Sequence, residues 1–165
     1  RVVYFKTVLL EIMEFNLVAL GGTFDIIHAG HLALLERGFS ISKKVIIGLT
    51  SDEFASKNNK NLINDFSKRR SKLEFEIQEK FPTSEFEISK LDNDFGPAAI
   101  EGIIEALVVS DETQSKGKLL NQLRKEKNLS PIQVIIVPMI LAKDGDRISS
   151  SRIRNSEIDV EGNIR

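Results

Sequence analysis

The residues with the clearest chemical potential lie in one short loop. Two histidines stand three residues apart, at His28 and His31, and the glycine pair Gly21 and Gly22 precedes them. The glycines allow backbone N–H groups to approach a ligand closely, and a helical stretch begins directly after the loop at Leu32. A helix N-terminus carries free N–H donors and the positive end of the helix dipole, so this loop predicts an anion-binding site.

Other interpretations of this loop remain open. His28 could cap the helix or fill a polar pocket without touching a ligand. No third ligand with suitable spacing lies nearby, and Asp25 alone is a weak candidate, so we expect no metal ligands from protein side chains. The loop is not a Gly-x-Gly-x-x-Gly dinucleotide fingerprint, and the chain contains no phosphate-binding P-loop pattern.

A second anion site is predicted near the other end of the chain. Ser149, Ser150 and Ser151 precede a helical run, and Arg154 follows about one turn later. Serines at a helix start offer hydroxyls and unpaired N–H groups, and an arginine at this spacing can reach the same anion. The alternative is an ordinary capped surface helix with basic residues. Two such sites on one domain favour a polyphosphate ligand.

The elements that must position these loops follow an alternating pattern. Short β-branched runs alternate with stretches of helical spacing, which predicts an α/β fold with a doubly wound parallel sheet. Ligands of such sheets bind beyond the carboxyl ends of the strands. The expected strands are Leu17 to Leu20, Val45 to Leu49, Glu85 to Leu91, Ala106 to Val109 and Val134 to Val137. The expected helices are Gly30 to Phe39, Phe66 to Phe81, Ala98 to Ile104 and Lys116 to Lys127.

The composition narrows the class of protein. The 165 residues include 41% apolar and 28% charged residues, no cysteine, and a net charge of -1. Disulfides, cysteine-bound metals and thiol catalysis are therefore excluded, and no global field favours nucleic acid or an anionic membrane. No apolar run is long enough to span a membrane, and no secretory pattern opens the chain, so we expect a cytoplasmic protein.

The first residues of the chain need separate treatment. Arg1 is not an initiator residue, and Met13 stands just before a strand-like run. We therefore expect residues 1–12 to be an upstream extension and residues 13–165 to form a single domain. The alternative is that residues 1–12 add an edge strand or a short helix to that domain.

These segments together resemble a known group of enzymes. Gly-Gly-Thr-Phe-Asp at 21–25, His-Ala-Gly-His at 28–31 and Ile-Ser-Ser-Ser-x-x-Arg at 148–154 are similar to motifs of the nucleotidyltransferase superfamily. Thr-Ser-Asp-Glu at 50–53, Val-Ser-Asp-Glu-Thr at 109–113 and Gly-Asn at 162–163 resemble the archaeal and eukaryotic type of phosphopantetheine adenylyltransferase. The resemblance covers residues 13–165. It implies a Rossmann-like fold.

The resemblance also implies a reaction. ATP and 4′-phosphopantetheine would give 3′-dephospho-coenzyme A and pyrophosphate, with Mg²⁺ bound to the triphosphate. The alternatives are another transferase of the superfamily, with flavin mononucleotide, nicotinamide mononucleotide or a polyol phosphate as acceptor, and a non-catalytic nucleotide-binding module. Bacterial members usually carry Thr or Asn in place of His28, so their assembly is not carried over, and we favour a monomer.

The resemblance assigns roles to individual residues. It implies that His28 and His31 contact the phosphates, that His31 stabilises the transition state, and that Arg154 and the three serines hold the departing pyrophosphate. A lysine that bridges the reacting phosphates is expected at Lys57 or Lys60. The implied ATP site comprises Gly22, Thr23, Phe24, His28, His31, Ser110, Thr113, Ser149, Ser150, Ser151 and Arg154. The implied acceptor site comprises Thr23, Thr50, Ser51, Asp52, Lys57 and Lys60.

Three other segments are interpreted as structural. Phe66, Leu73, Phe75, Ile77 and Phe81 are predicted to form a helical apolar stripe that packs into the core. The basic run at 68–72 is expected to be a solvated helix face, although it could touch a nucleotide. The segment 110–113 is expected to cap the following helix while it lines the adenine side of the pocket.

Overall fold

A five-stranded parallel sheet forms the centre of the computed structural model, which describes residues 13–100 and 102–165. Its strands are β1 (Phe15–Gly22), β2 (Ser42–Thr50), β3 (Glu85–Leu91), β4 (Ala106–Ser110) and β5 (Gln133–Val137). The spatial order is β3-β2-β1-β4-β5, and all four pairings are parallel. The predicted α/β sheet is confirmed, and its strands lie where the sequence placed them, with β3 matching at both ends.

Six helices connect and flank the strands in the described part of the chain. They are α1 (Ala29–Ile41), α2 (Asp52–Lys57), α3 (Phe66–Lys80), α4 (Pro97–Ile100), α5 (Ser115–Glu126) and α6 (Ser150–Arg154). Helix α2 was not among the expected helices. None of the helices that the structure describes is long and apolar enough to span a membrane. The predicted extension at 1–12 lies outside the described residues.

The sheet is covered on both faces, as a doubly wound fold requires. Val18 and Leu20 pack with Leu35 of α1 and Leu73 of α3 on one face. On the other face, the intervening Ala19 packs in a cluster that contains residues of α4 and α5. This alternation follows from the two-residue period of a strand. Strand order reverses at β1, whose neighbours are β2 and β4, so the crevice expected to bind ligands opens beyond Gly22 and Ser110.

One predicted helix is shorter than expected. The prediction of a helix from Ala98 to Ile104 is wrong at its C-terminal end, because α4 ends at Ile100 and residues 102–104 are not helical. The buried guanidinium of Arg124 donates to the carbonyls of Ala99 and Gly102, at 2.8 and 3.1 Å. These carbonyls are satisfied by a distant side chain instead of by a continued helix.

Two expectations for α3 are also corrected. Leu73 and Ile77 are fully buried, but Phe75 is 61% exposed, because two residues along a helix correspond to about 200° of rotation. The stripe prediction is therefore wrong for Phe75. The solvated-face prediction is wrong for Arg69, which has no exposed surface, whereas its neighbour Arg70 is half exposed and pairs with Glu74.

Candidate active site

A cleft of about 500 Å³ lies beyond the carboxyl ends of β1, β4 and β5. We call it the main cleft. It brings together the loop after β1, the loop at residues 59–62, the turn after β4 and the chain from Val137 to Arg154. Most of the predicted ATP-site residues line it: Gly22, Thr23, His28, His31, Ser110, Thr113, Ser149, Ser150, Ser151 and Arg154. Two motifs separated by more than a hundred residues thus face one cavity.

The two histidines occupy the first turn of α1 in a reciprocal capping arrangement. The Nδ1 atom of His28 accepts from the backbone N–H of Gly30 at 3.1 Å. The Nδ1 atom of His31 accepts from the backbone N–H of His28 at 3.3 Å. His28 therefore caps the helix, as one interpretation proposed, and it also lines the cleft. Because each Nδ1 is an acceptor, each neutral imidazole carries its proton on Nε2, where it is a donor.

Both imidazoles are neutral at physiological pH. Burial lowers the pKa of His28 to about 4, and the positive charge of Arg147 contributes to the shift. Burial lowers the pKa of His31 to about 3, with a further contribution from His28 and an opposing one from the Ile26 carbonyl. The rings of His28 and His31 stack with centroids 3.9 Å apart. The pair therefore presents uncharged N–H donors, and a bound anion would raise both pKa values.

Contacts with the two imidazole rings explain two further residues of the motif. A Cβ atom on Gly30 would lie 2.9 Å from Cε1 of His28, so a side chain at this position would displace the cap. Phe24 is fully buried, and its ring centroid lies 4.7 Å from that of His31. Phe24 adopts a positive φ of 48°, which is uncommon outside glycine. The Phe24 side chain thus supports His31 from behind and does not line the cleft.

Asp25 organises the cleft from beneath, a role that the sequence did not suggest. Its side chain is 2% exposed, and its carboxylate accepts from the backbone N–H groups of Ile63 and Asn64, each at 3.0 Å. It also accepts from Arg154 Nη1 at 3.0 Å. Arg154 in turn donates to Ser151 Oγ at 3.1 Å. One carboxylate therefore joins the first motif, the loop after Lys60 and the second motif.

Arg69 performs a similar task at the ends of β1 and β2. Its guanidinium donates to the carbonyls of Thr23, Thr50 and Asn64 at 2.7 to 3.1 Å. It also bonds Asp52 at 2.7 Å. Arg69 stands in the basic run at 68–72 that the sequence analysis singled out. The pattern of charges in that run could not distinguish a buried arginine from its solvated neighbours.

The serine run is held by side-chain contacts within the chain. Ser149 caps α6 by accepting from the Arg152 N–H at 3.3 Å, and Ser150 Oγ donates to the Ile26 carbonyl at 3.3 Å. The first N–H groups of α6 have no intrahelical partner, because a helix satisfies them only from its second turn onwards. These donors and the histidine N–H groups border the same cleft.

A narrower cavity of about 160 Å³ adjoins the main cleft, and we call it the side pocket. Its walls are largely apolar and include Leu91, Phe95 and Ala99, with the polar groups Thr50 and Lys116. Gly48 also lines the side pocket, and it packs closely on Leu91, because a Cβ atom at Gly48 would lie only 2.5 Å from the Leu91 side chain. The two cavities share Gly21, Gly22, Leu34, Lys60 and Thr113.

The structure separates the two candidate lysines. Lys60 lines both cavities, and burial lowers its pKa, with a further contribution from the charge of Lys116. Lys57 is exposed at the end of α2 and lines neither cavity. Of the two lysines expected to bridge the reacting phosphates, Lys60 therefore lies where the two cavities meet, and Lys57 lies outside both.

The remaining acceptor candidates have other partners. Ser51 is fully buried and caps α2 by accepting from the Phe54 N–H at 3.1 Å. Asp52 bonds Arg69 and the N–H of Phe66. Neither residue lines the main cleft or the side pocket. Thr50 does line the side pocket, and its hydroxyl donates to the Gly22 carbonyl at 3.1 Å.

The turn after β4 lines the cleft but does not cap the next helix. Gln114 is the N-cap of α5 and makes no side-chain capping bond. The Thr113 hydroxyl instead accepts from the Ser110 N–H at 3.2 Å, which closes the turn on itself. The capping prediction for residues 110–113 is wrong. Ser110 and Thr113 nevertheless face the main cleft as expected.

Comparison with known proteins places this site in a class. The fold and the two motifs define a nucleotidyltransferase-type domain, and residues 19–156 match the cytidylyltransferase-like family. A phosphopantetheine adenylyltransferase of Methanothermobacter thermautotrophicus is 38% identical over 151 residues, which cover 92% of this chain and 90% of the relative. One from Pyrococcus abyssi is 41% identical over 152 residues, 92% of this chain and 96% of the relative.

A solved structure shares the fold of this chain. A protein of unknown function from Archaeoglobus fulgidus superposes with a TM-score of 0.66 at 31% identity, over 73% of this chain and 87% of that protein. This chain therefore belongs to the cytidylyltransferase-like family and, within it, to the phosphopantetheine adenylyltransferases.

Proposed function

We propose that this protein transfers the adenylyl group of ATP to 4′-phosphopantetheine, forming 3′-dephospho-coenzyme A and pyrophosphate. The observation that carries the proposal is the junction of two cavities at Gly21, Gly22 and Lys60. Relatives that are 34 to 41% identical over about nine-tenths of the chain carry the name of this activity. A two-substrate transfer needs two such adjoining sites.

ATP is proposed to occupy the main cleft. The histidine pair, the serine run and Arg154 supply donors for its phosphates at one end. Pro138, Met139 and Ile140 offer an apolar wall for the adenine. The 500 Å³ volume is within the range of small-molecule sites. The bound anion would meet neutral imidazoles and the guanidinium of Arg154, and both carboxylates that line the cleft are already paired with arginines.

The acceptor is proposed to reach the junction from the side pocket. An apolar, narrow cavity suits the extended pantetheine arm, and Lys60 stands where its phosphate would meet the ATP α-phosphate. Thr23 lines the main cleft beside this junction. Lys60 therefore serves as the cation between the two reacting groups.

The reaction needs orientation and charge stabilisation more than proton transfer. An oxygen of the acceptor phosphate attacks the α-phosphorus of ATP, a new P–O bond forms, and the bond to the β-phosphate oxygen breaks, which releases pyrophosphate. The attacking oxygen is largely ionised at neutral pH, because the second phosphate pKa is about 6. The Nε2–H of His31 and the ammonium of Lys60 are proposed to stabilise charge on the α-phosphate in the transition state.

Magnesium is proposed to enter with ATP. Among residues 13–100 and 102–165, no group of three His, Asp or Glu side chains could hold a metal ion. The two carboxylates that line the main cleft, Asp25 and Glu112, are both engaged by arginines. Triphosphate oxygens and water would therefore be the ligands. When bound, the ion neutralises part of the triphosphate charge.

Pyrophosphate release from magnesium ATP tests the proposed function. The assay compares 4′-phosphopantetheine with flavin mononucleotide, nicotinamide mononucleotide and glycerol 3-phosphate, and mass spectrometry identifies the product. We expect release with phosphopantetheine alone, together with 3′-dephospho-coenzyme A. Release with another acceptor would keep the ATP site but change the acceptor, and no release with any acceptor would favour a binding module.

The location, oligomeric state and nucleic-acid binding of the protein are also part of the proposal. We propose a cytoplasmic monomer that does not bind nucleic acid, because the net charge of -1 provides no global field to attract a polyanion and the chain has no cysteine. Light scattering on the purified protein tests the monomer, and a gel-shift assay with duplex DNA and RNA tests nucleic-acid binding.

A further inference from the structure

Arg147 and Glu112 face each other across the mouth of the main cleft. Both oxygens of the Glu112 carboxylate accept hydrogen bonds from the Arg147 guanidinium. Glu112 lies in the turn after β4, and Arg147 directly precedes the buried Ile148 and the serine run. The ion pair therefore joins two walls of the cleft, and the proposed reaction uses neither residue.

The backbone of Arg147 is held by contacts of its own, whereas its side chain is half exposed and bonds only Glu112 among the described contacts. The Arg147 carbonyl accepts from Arg152 Nη1 at 2.9 Å, and Arg152 is itself paired with Asp144 and Glu157. The side chains of Arg147 and Glu112 are about half exposed, at 51% and 45%. An ion pair with this exposure contributes little net stability, so the guanidinium can exchange one anion for another at small cost.

The charge of Arg147 already reaches the phosphate end of the cleft. It contributes to the lowered pKa of His28, which caps the first turn of α1. Arg154, by contrast, is anchored beneath the site by the buried Asp25 and also bonds Ser151. Arg147 is therefore the arginine of this cleft whose present partner, Glu112, lies at the solvent-exposed mouth and not beneath the site.

We propose that Arg147 is a further ligand of the ATP triphosphate, and that Glu112 holds the guanidinium away from the phosphates until the nucleotide binds. This inference rests on the proposed function. A triphosphate carries more charge than one carboxylate and accepts the two parallel N–H bonds that a guanidinium offers. Glu112, once released, is left in water at the mouth of the cleft. It acts as an internal competitor with ATP for Arg147.

Substitutions of Arg147 and Glu112 should change phosphate affinity in opposite directions, which distinguishes a ligand role for Arg147 from a structural one. Calorimetric titration with magnesium ATP, inorganic pyrophosphate and adenosine compares wild type, Arg147→Gln, Arg147→Lys and Glu112→Gln. Arg147→Gln should weaken pyrophosphate and ATP binding about 10-fold or more and leave adenosine binding unchanged. Arg147→Lys, which keeps the charge but not the fork, should lie between wild type and Arg147→Gln. Glu112→Gln should strengthen pyrophosphate and ATP binding about threefold.

A second readout follows the guanidinium itself. In ¹⁵N spectra of arginine side chains, the Arg147 Nε signal, assigned by its loss in Arg147→Gln, should shift when pyrophosphate is added and not when adenosine is added. The pKa of His28 should rise in Arg147→Gln, because a neighbouring positive charge is removed.

Other results would overturn the inference. If Arg147→Gln and Glu112→Gln weaken ATP binding alike, the pair is a structural brace between the cleft walls. If Arg147→Gln binds pyrophosphate as wild type does, Arg147 is no phosphate ligand. The proposed function fails separately, if wild type itself binds neither ATP nor pyrophosphate. Thermal melting of each variant checks that the fold is intact.

Discussion

The buried guanidinium of Arg69 provides the sharpest test of how the site is held in place. Arg69→Met keeps most of the side-chain length but removes every donor. The carbonyls of Thr23, Thr50 and Asn64 then lose a partner that lies 2.7 to 3.1 Å away. Arg70→Met is the matched control, because Arg70 is the next residue on the same helix, is half exposed and makes one surface pair with Glu74.

The size of the effect follows from these contacts. A buried polar group left without a partner costs about 1 to 3 kcal/mol, and water entry would recover part of this for the outermost carbonyl. We therefore expect Arg69→Met to lower the free energy of unfolding by about 3 to 5 kcal/mol. The loss at Arg70→Met should stay within about 0.5 kcal/mol, because exposed pairs contribute little.

Urea denaturation followed by circular dichroism measures both variants. At about 2 to 4 °C per kcal/mol, Arg69→Met should also lower Tm by roughly 10 °C. Because Arg69 anchors Thr23 and the segment after Lys60, the KM for ATP should rise in the same variant. Equal stability of the two variants, or a loss below about 1 kcal/mol for Arg69→Met, would refute this account of the buried arginine.

Three further predictions concern the cleft. His31→Ala should lower kcat about 100-fold while the Kd for ATP changes little, because the hydrogen bond from His31 strengthens in the transition state. Steady-state kinetics and nucleotide titration measure the two constants. Equal losses in kcat and in ATP affinity would argue against this role. The pKa values of His28 and His31, about 4 and about 3, lie below that of an unfolded histidine, so protons bind the unfolded chain first as pH falls. In urea titrations, the free energy of unfolding should therefore fall as the pH drops from 6.5 towards 4, with a slope of up to about 1.4 kcal/mol per pH unit for each histidine. The double variant His28→Asn/His31→Asn should lack this slope between pH 7 and 5. A flat wild-type profile in that range would contradict the lowered pKa values. Lys60→Ala should lower kcat/KM at least about 10-fold in the pyrophosphate assay, whereas kcat/KM of Lys57→Ala should stay within about twofold of wild type. Similar losses in the two variants would show that the bridging lysine has been misassigned.

Much of the architecture could be predicted because it depends on local patterns. Each of the five strands was recognisable as a short β-branched run, and their alternation with helical spacing required a parallel sheet. Helix α4 is shorter than predicted, because the carbonyls of Ala99 and Gly102 accept from Arg124, which is more than twenty residues away in sequence. Helix α2 was missed because a six-residue helix leaves too short a period to detect.

The candidate site divides in the same way. Glycines, histidines and serines at helix starts indicated anion binding by residue type and spacing alone, and the structure places both motifs around one cleft. The sequence pattern could not distinguish Lys57 from Lys60, because both lie in one polar stretch. The path of the chain after α2 brings Lys60 into the lining of both cavities. The interpretation of Asp25 as a weak metal candidate missed its role as an anchor.

The sequence by itself determined the fold class and the family and predicted the two anion-binding motifs, since these depend on residue types at short fixed spacings. Only the tertiary structure decided which charged side chains are used for support and which face a ligand. From the sequence, Asp25 is a weak metal candidate, Arg69 belongs to a basic run expected to be solvated, and Arg154 is a predicted anion ligand. In the structure each also meets partners from distant segments. Burial makes those partners necessary, because a charge removed from water must be matched by groups that folding brings to it.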